Sequence, residues 1–303
     1  MAILLGVHKQ SKHLCRSKPI SKVEVVTDST SCLPPELIAK YDIKVLPVGL
    51  VIDGKHYRDH IDISRDDILK RIENMEEQPS TTAVSPGDFV HEFEELSKTT
   101  DSIVCILVSR ALTASHESAY QAKRHVRRQN TGAKIEIIDS KTSAGALAFV
   151  VMEAARAAQE GKSMEEVIEV ARDMISRVIY IAAPETLKYL INIGRAPKSA
   201  TIGEMLDVKP IIGFIDDTGL LEVVTRVRGK NKTLSKVVDL IDKYADTDKP
   251  INVIVHYTNG TDDANRLKDL IMARYDCAEV IVAPYSPVMI SAVGPTVGVA
   301  FYS

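Results

Sequence analysis

The chain has 303 residues, 45% of them hydrophobic and 26% charged, with a formal net charge of −3 at pH 7. That length suffices for a sizeable core and favours two domains, and the composition excludes a disordered chain. A slightly acidic total also leaves no electrostatic footprint for nucleic acid, whose binders carry a basic surface.

The basic run at residues 123–129 falls at the end of a helix-like segment, where cations favour both the helix dipole and solvent. Cys15, Cys32, Cys105 and Cys277 form no C-x-x-C pair and have no His at metal-ligand spacing. Neither a zinc site nor a disulfide framework is expected, and reduced cytoplasmic thiols are the default. Residues 1–21 contain only a short apolar run before basic and polar residues, too short for a signal-peptide core or a membrane span. They read as a loose N-terminal extension, without stable membrane insertion.

Residues 22–41 open with an apolar strand over Val23 to Val26 and a polar turn from Asp28 and Ser29 to Ser31. Pro34 and Pro35 then suit the first turn of a helix. Residues 43–64 alternate apolar and polar residues through a hairpin turn at Asp53-Gly54. After the next helix, residues 77–89 gather Ser80, Thr81 and Thr82 ahead of Ser85-Pro86-Gly87-Asp88. The second half of that loop is turn chemistry leading into a helix, whereas the first half is a cluster of hydroxyls.

The strand–turn–helix plan recurs twice. One strand ends near Ser109, with a helix beginning at Thr113 or Ser115; another ends at Asp139, with Ser140 in the turn and an Ala-rich helix from Ser143 to Gly161. Such repetition predicts an α/β fold with a parallel, Rossmann-like sheet, whose carboxyl edge collects all three hydroxyl-rich turns. Beyond Gly161 the pattern becomes helix, strand, helix, then a hairpin turning at Asp217 to Gly219, an amphipathic helix, a strand, a helix, and two final strands joined by a Gly-Pro turn. The expected organisation is an extension over 1–21, an N-terminal α/β domain over 22–161 and a C-terminal α/β or α+β domain over 162–303. Its final strands return to the cleft between the domains.

No phosphate loop, dinucleotide G-x-G-x-x-G or G-x-S-x-G nucleophile elbow occurs. Ser115, His116 and Glu117 are neighbours on a helix, about 100 degrees apart, and cannot form a relay with one another. His56, His60, Asp59 and Asp62 make a weak metal constellation, because they fall in a strand or loop where such spacing does not converge. No metal and no cofactor is expected. What remains is an edge of hydroxyls and helix-start N–H groups suited to an anion, with Asp28 and Asp139 alongside. Neutral hydrogen bonds contribute only about 1 kcal/mol net each, so tight binding there needs a large apolar partner surface.

Several ordered motifs from Lys22 to the C-terminus resemble the DegV family of bacterial fatty-acid-binding proteins. They include the segment from Thr27 to Leu37, the Tyr57-Arg58-Asp59 hairpin and the Pro79 to Phe89 loop. They continue through Ser109 to Ala119, the Asp139-Ser140-Lys141 turn, the Gly194-Arg195 segment and Val227-Arg228-Gly229. The resemblance implies a tunnel between two domains holding one long-chain fatty acid, its carboxylate bound by Thr81 beside Thr82 and by Thr113, where the family has Ser. Asp28, Ser29, Ser115, Asp139, Ser140, Ser291 and Gly294 are implied at or behind the cleft. Where the family often has a His near the carboxylate, this chain has Ala292, and it lacks one Gly after Pro295.

The resemblance also implies a non-catalytic carrier presenting its lipid to a separate fatty acid kinase, with Arg195, Arg226 and Arg228 as candidate contacts for that partner or for an acyl phosphate. Burying about 14 methylenes at about 0.8 kcal/mol each gives about 11 kcal/mol gross, so the tail would dominate affinity and the hydroxyls would select the head group. The competing reading is an enzyme acting on a small acyl or phosphoryl substrate at the same edge, with Asp28 or Asp139 as base. A ligand-free interaction protein is a third.

Overall fold

The computed structural model describes residues 22–72, 78–129, 131–200 and 208–303. The extension expected over 1–21 lies outside the described residues, as do the start of the loop at 77 and residues 201–207.

Val23–Asp28 (β1), Lys44–Leu46 (β2), Ser102–Leu107 (β6) and Lys134–Asp139 (β7) form a parallel sheet in the order β2-β1-β6-β7. Every residue of β1 is buried, including Glu24, Thr27 and Asp28, as in a strand covered on both faces. Gly49–Ile52 (β3), Lys55–Arg58 (β4) and Ser80–Thr82 (β5) form a small antiparallel sheet in the order β4-β3-β5. Asp53 and Gly54 both take positive φ, 50° and 72°, in the two-residue turn that joins β3 to β4.

Pro35–Tyr41 (α1), Ala144–Gln159 (α5) and Met164–Arg177 (α6) pack together behind the parallel sheet. Pro86–Leu96 (α3) and Ser115–Arg128 (α4) pair with each other, and the right-handed crossovers put them on the opposite face. Arg65–Ile72 (α2) lies elsewhere, against the C-terminal segment. Beyond residue 161, α6 still packs on α5 and β6, held at its start by a reciprocal Ser163–Glu166 capping box.

The second large sheet is mixed, in the order β10-β9-β8-β13-β11-β12. Its strands are Ile179–Pro184 (β8), Val208–Phe214 (β9), Glu222–Arg228 (β10), Ile251–Tyr257 (β11), Cys277–Pro284 (β12) and Thr296–Tyr302 (β13). Along β8, Tyr180 and Ala182 join a core shared with the first sheet, while Ile181 joins a separate core beneath Lys230–Tyr244 (α8) and Asp262–Arg274 (α9). In β13, Ala300 and Tyr302 face inward and Val297, Val299 and Phe301 outward, the period-2 alternation of a strand covered differently on its two faces. Helix α5 therefore lies between two sheets.

One expectation is corrected here. The final strands are not joined by a Gly-Pro turn alone, because a helix, Pro287–Val293 (α10), stands between β12 and β13. Ser286 accepts a hydrogen bond from Met289 N at 3.4 Å, Pro287 occupies the first turn, and Gly294 ends the helix at φ 65°. Its residues are buried all round, so no amphipathic period announced it.

His256, in β11, is fully buried; its ring stacks on Tyr285 at 5.0 Å and its Nδ1 lies 3.0 Å from the Ala283 carbonyl oxygen. Among the described residues Nε2 has no partner, and burial lowers the pKa to about 4. The folded value is below the unfolded one of about 6.5, so the neutral ring's contribution is present above pH 6.5 and lost as pH falls toward 4. His256→Asn, which keeps a donor toward Ala283, should remove about 3 kcal/mol of this acid sensitivity. Urea unfolding at pH 7.5, 5.5 and 4 checks it, and parallel acid losses in both proteins would assign the effect elsewhere.

Candidate binding cavity

A cavity of about 290 Å³ lies between the two large sheets, at the carboxyl edge of the parallel one. Its volume is near the lower end of small-molecule sites. Thr30, Val108 and Ser143 reach it from the ends of β1, β6 and the turn after β7, and Tyr180, Ala182, Ile212 and Phe214 from the second sheet. Val288, Met289, Ala292 and Val293 of α10 close one side. Leu190 of Lys188–Asn192 (α7), with Ile193 and Arg195 just beyond it, closes another. Among the described residues, Arg195 is the one charged group in this lining.

Thr81, Thr82, Ala83 and Thr113 form the polar mouth. Thr82 pairs opposite Gly49, and a Cβ at Gly49 would sit 2.1 Å from the Thr82 hydroxyl oxygen, so only glycine leaves that hydroxyl its position. Among the described residues neither the Thr81 nor the Thr82 hydroxyl has a protein partner. Thr113 differs. Its Oγ1 accepts from Ser115 N at 3.1 Å and lies 2.9 Å from Ser115 Oγ, which itself accepts from Val84 N at 3.1 Å. When Ser115 donates within that pair, Thr113 keeps its own proton for a ligand. Ser115 thus ties the β5 loop to the start of α4 without lining the cavity.

Arg195 donates from Nε to the Leu112 carbonyl oxygen, beside Thr113, and from Nη1 to Gly194 O at 3.3 Å. The sequence suggested an uncharged cradle; the fold adds a guanidinium to it. Arg226 and Arg228, both exposed on β10, stand outside the lining, with Arg226 Nη2 donating to Ser199 O at 3.3 Å.

Of the two carboxylates considered as bases, Asp28 is committed through both oxygens and Asp139 through one. Asp28 is fully buried: Oδ1 accepts from Thr30 N at 3.0 Å and from the Thr30 hydroxyl, and Oδ2 accepts from Val108 N at 2.9 Å. Burial pushes its pKa up, countered by those donors. Asp139 accepts from Arg110 N at 3.1 Å and Lys141 N at 2.9 Å. Both cap the turns after their strands.

Ser29 accepts from Val48 N at 3.1 Å, fixing a lining residue, while Ser140 and Ser291 donate to the Thr142 and Val288 carbonyls at 3.3 and 2.8 Å. Gly294 packs against the Tyr189 ring, where a Cβ would come within 2.1 Å. In the weak metal constellation, Asp59 Oδ1 accepts from Val288 N at 3.1 Å and Asp62 Oδ2 from Arg58 Nε at 2.9 Å. Among the described residues no group of three metal-binding side chains converges.

Sequence reasoning missed the inner wall. Tyr180 is hydrogen-bonded to Tyr285 through their hydroxyls, and Ser143 starts α5 without capping it. A second hollow of about 300 Å³ lies beyond the Gly294-Pro295 turn, where Lys209 and Lys230 are balanced by Glu185 and Asp263. Lys230 pairs with Asp263 at 2.8 Å, leaving little charge to recruit an anion.

The model of the DegV family, described as uncharacterised proteins, matches residues 22–303. A DegV domain-containing protein of Clostridium acetobutylicum is 31% identical over 285 residues, covering 93% of this chain and 98% of that protein. Among solved structures, a DegV family protein from Thermus thermophilus, described for its fatty acid binding, superposes with a TM-score of 0.85 at 25% identity. The match covers 93% of this chain and 99% of that one. DegV from Bacillus subtilis, described as a fatty acid binding protein, gives a TM-score of 0.81 at 26% identity, with the same coverage of both chains.

The buried Asp28 carboxylate gives a direct test of how the cavity edge is built. Asp28→Ala orphans the Val108 and Thr30 N–H groups, and should lower unfolding free energy by about 2–4 kcal/mol in urea titrations. Unchanged stability would mean those donors find other partners and would reopen Asp28 as a chemical group.

Proposed function

The chain belongs to the DegV family, and from that premise we propose that it binds one long-chain fatty acid in the cavity between its two sheets, as a carrier rather than an enzyme. The observation that carries this is a largely apolar cavity whose part-exposed end carries the uncommitted Thr81 and Thr82 hydroxyls, with Arg195 the sole lining charge among the described residues.

The carboxylate is held by Thr81, Thr82 and Thr113. Arg195 supplies the opposite charge, which strengthens a hydrogen bond to a carboxylate about twofold over a neutral one. The tail lies against Ile212, Phe214, Val288 and their neighbours, and contributes most of the affinity through burial. Asp28 and Asp139 support the edge, since Asp28 spends both oxygens on backbone donors and Asp139 one of its two. The carrier presents the carboxylate to a partner fatty acid kinase, with Arg226 and Arg228 on the exposed β10 as contacts for the partner or the acyl phosphate. No described helix is long and apolar enough to cross a membrane, and we place the carrier in the cytoplasm.

Organic extraction of the purified protein followed by mass spectrometry should yield one fatty acid per chain; an empty protein that takes up no added fatty acid would overturn the reading. Thr81→Val, close to isosteric, should keep the melting temperature and weaken retention of free fatty acid about fivefold, the worth of one net hydrogen bond. Unchanged affinity would exclude Thr81 from the head-group site. With the loaded protein as substrate, a matched kinase should transfer phosphate to the bound acid, and extraction with acyl-phosphate detection reads that step.

A further inference from the structure

The cavity holds a second polar station that carboxylate binding does not use, and we propose that it receives an oxygen carried on the acyl chain, making the preferred ligand a hydroxyl- or keto-bearing long-chain acid. This rests on the fatty acid reading above and specifies its ligand.

Tyr180 and Tyr285 are both buried, 3% and 0% exposed, and their hydroxyls bond to each other. Two phenols bring two protons, the mutual bond uses one, and among the described residues no acceptor takes the other. Burial also pushes both phenols above their ordinary range, so both protons stay in place. Gly298 makes room for the pair: a Cβ there would stand 2.2 Å from the Tyr285 hydroxyl and 3.0 Å from that of Tyr180. Tyr180 lines the cavity and Tyr285 does not. With Tyr285 donating inward, the remaining donor is the Tyr180 hydroxyl at the cavity wall.

Ser143 repeats the pattern. It is 4% exposed and stands at the N-cap of α5, yet accepts no capping hydrogen bond there. Its hydroxyl finds only the Met289 sulfur, at 3.9 Å, a weak acceptor. Thr30, the remaining hydroxyl on this wall, is different because Asp28 already takes its proton. Buried donors without oxygen acceptors are costly, and two of them lining one apolar cavity define a place for an acceptor oxygen. Tyr180 and Ser143 are buried whereas Thr81, Thr82 and Thr113 are part-exposed, so the station lies inside the mouth rather than at it. A plain methylene chain leaves both donors unanswered.

The test titrates lipid-stripped protein with octadecanoic, 3-hydroxyoctadecanoic and 12-hydroxyoctadecanoic acids by displacement of a fluorescent fatty acid. At least one hydroxy acid should bind about tenfold tighter than the plain acid, the difference made by answering a buried donor. The better of the two positions reports how far the station lies from the carboxylate. Tyr180→Phe and Ser143→Ala should each move the ratio of hydroxy to plain affinity toward one, with thermal melts checking the fold. Ser143→Ala keeps the test open if the loss of Tyr180's hydroxyl disturbs Tyr285. Hydroxy acids that bind no tighter than the plain acid, or a preference that survives in both variants, would overturn the inference. Failure of all three acids to bind would instead overturn the fatty acid reading itself.

Discussion

Everything about the cavity depends on α5 being clamped between two sheets. Thirteen of its residues are buried, and its sequence supplies what that position requires, a helix rich in Ala and apolar except where Glu153, Arg156 and Gln159 face outward. Gly145 marks the closest approach to the second sheet, since a Cβ there would meet the Ala300 Cβ at 2.8 Å and His256 Nε2 at 3.0 Å. A larger residue would push the sheets apart. The sheets are thus held at a fixed separation by one helix, and where that helix ends nothing fills the space between them. Cavity and wedge are two consequences of the same spacing. Lys141 and Ala144 both take left-handed φ, 54° and 49°, on either side of Ser143, so the chain enters the wedge through an uncommon backbone path that costs of order 1–3 kcal/mol per residue.

The division between supporting and recognising groups follows from which polar atoms are already satisfied. Asp28, Asp139, Ser29 and Ser115 each accept from backbone N–H groups and hold strand ends, loops and helix starts in register. Thr81 and Thr82 have nothing to hold. A base for acyl or phosphoryl chemistry needs a lone pair facing the substrate, and the buried Asp28 carboxylate behind this cavity has spent its own on the fold. A site of this kind selects and orients by hydrogen bonding while apolar burial supplies the free energy, the division of labour expected when neutral donors line the end of an apolar space.

Local rules made the parallel half of the fold legible. An apolar run ending in Asp-Ser or Ser-Arg, then a turn, then a helix-period segment, places β1, β6 and β7 and their hydroxyl turns on one edge. The same rules failed at α10. Ser286-Pro287 at its start and Gly294 at its end are helix signals, yet between them the segment is apolar on every side, and a short apolar run reads equally as a buried strand. Tyr180 was illegible for another reason. Period 2 along β8 says that Tyr180 and Ala182 share a face, but which face fronts a cavity is set by the partner sheet, which no local pattern reports. Arg195 was visible as a residue and not as part of the lining, because its link to Leu112 joins segments 83 positions apart.

The mouth also shows how the fold supplies charge beside an alanine, Ala292. Ala292 lines the cavity but offers no donor. The turn that follows it is fixed from two sides: Thr258 donates to the Gly294 carbonyl oxygen at 2.7 Å, and Gly294, at φ 65°, lies flush against the ring of Tyr189. Tyr189 belongs to α7, and the same short helix leads through Ile193 and Gly194 into Arg195. Seating α10 against α7 therefore aligns the loop that carries the guanidinium, and the Arg195–Leu112 hydrogen bond completes the path back to Thr113. A methyl group at position 292 leaves room in the mouth, and a cation already anchored to the opposite loop is placed to use it. The positive charge comes from the junction between the two halves of the molecule, so the one charge in the described lining and the joining of those halves depend on the same side chain.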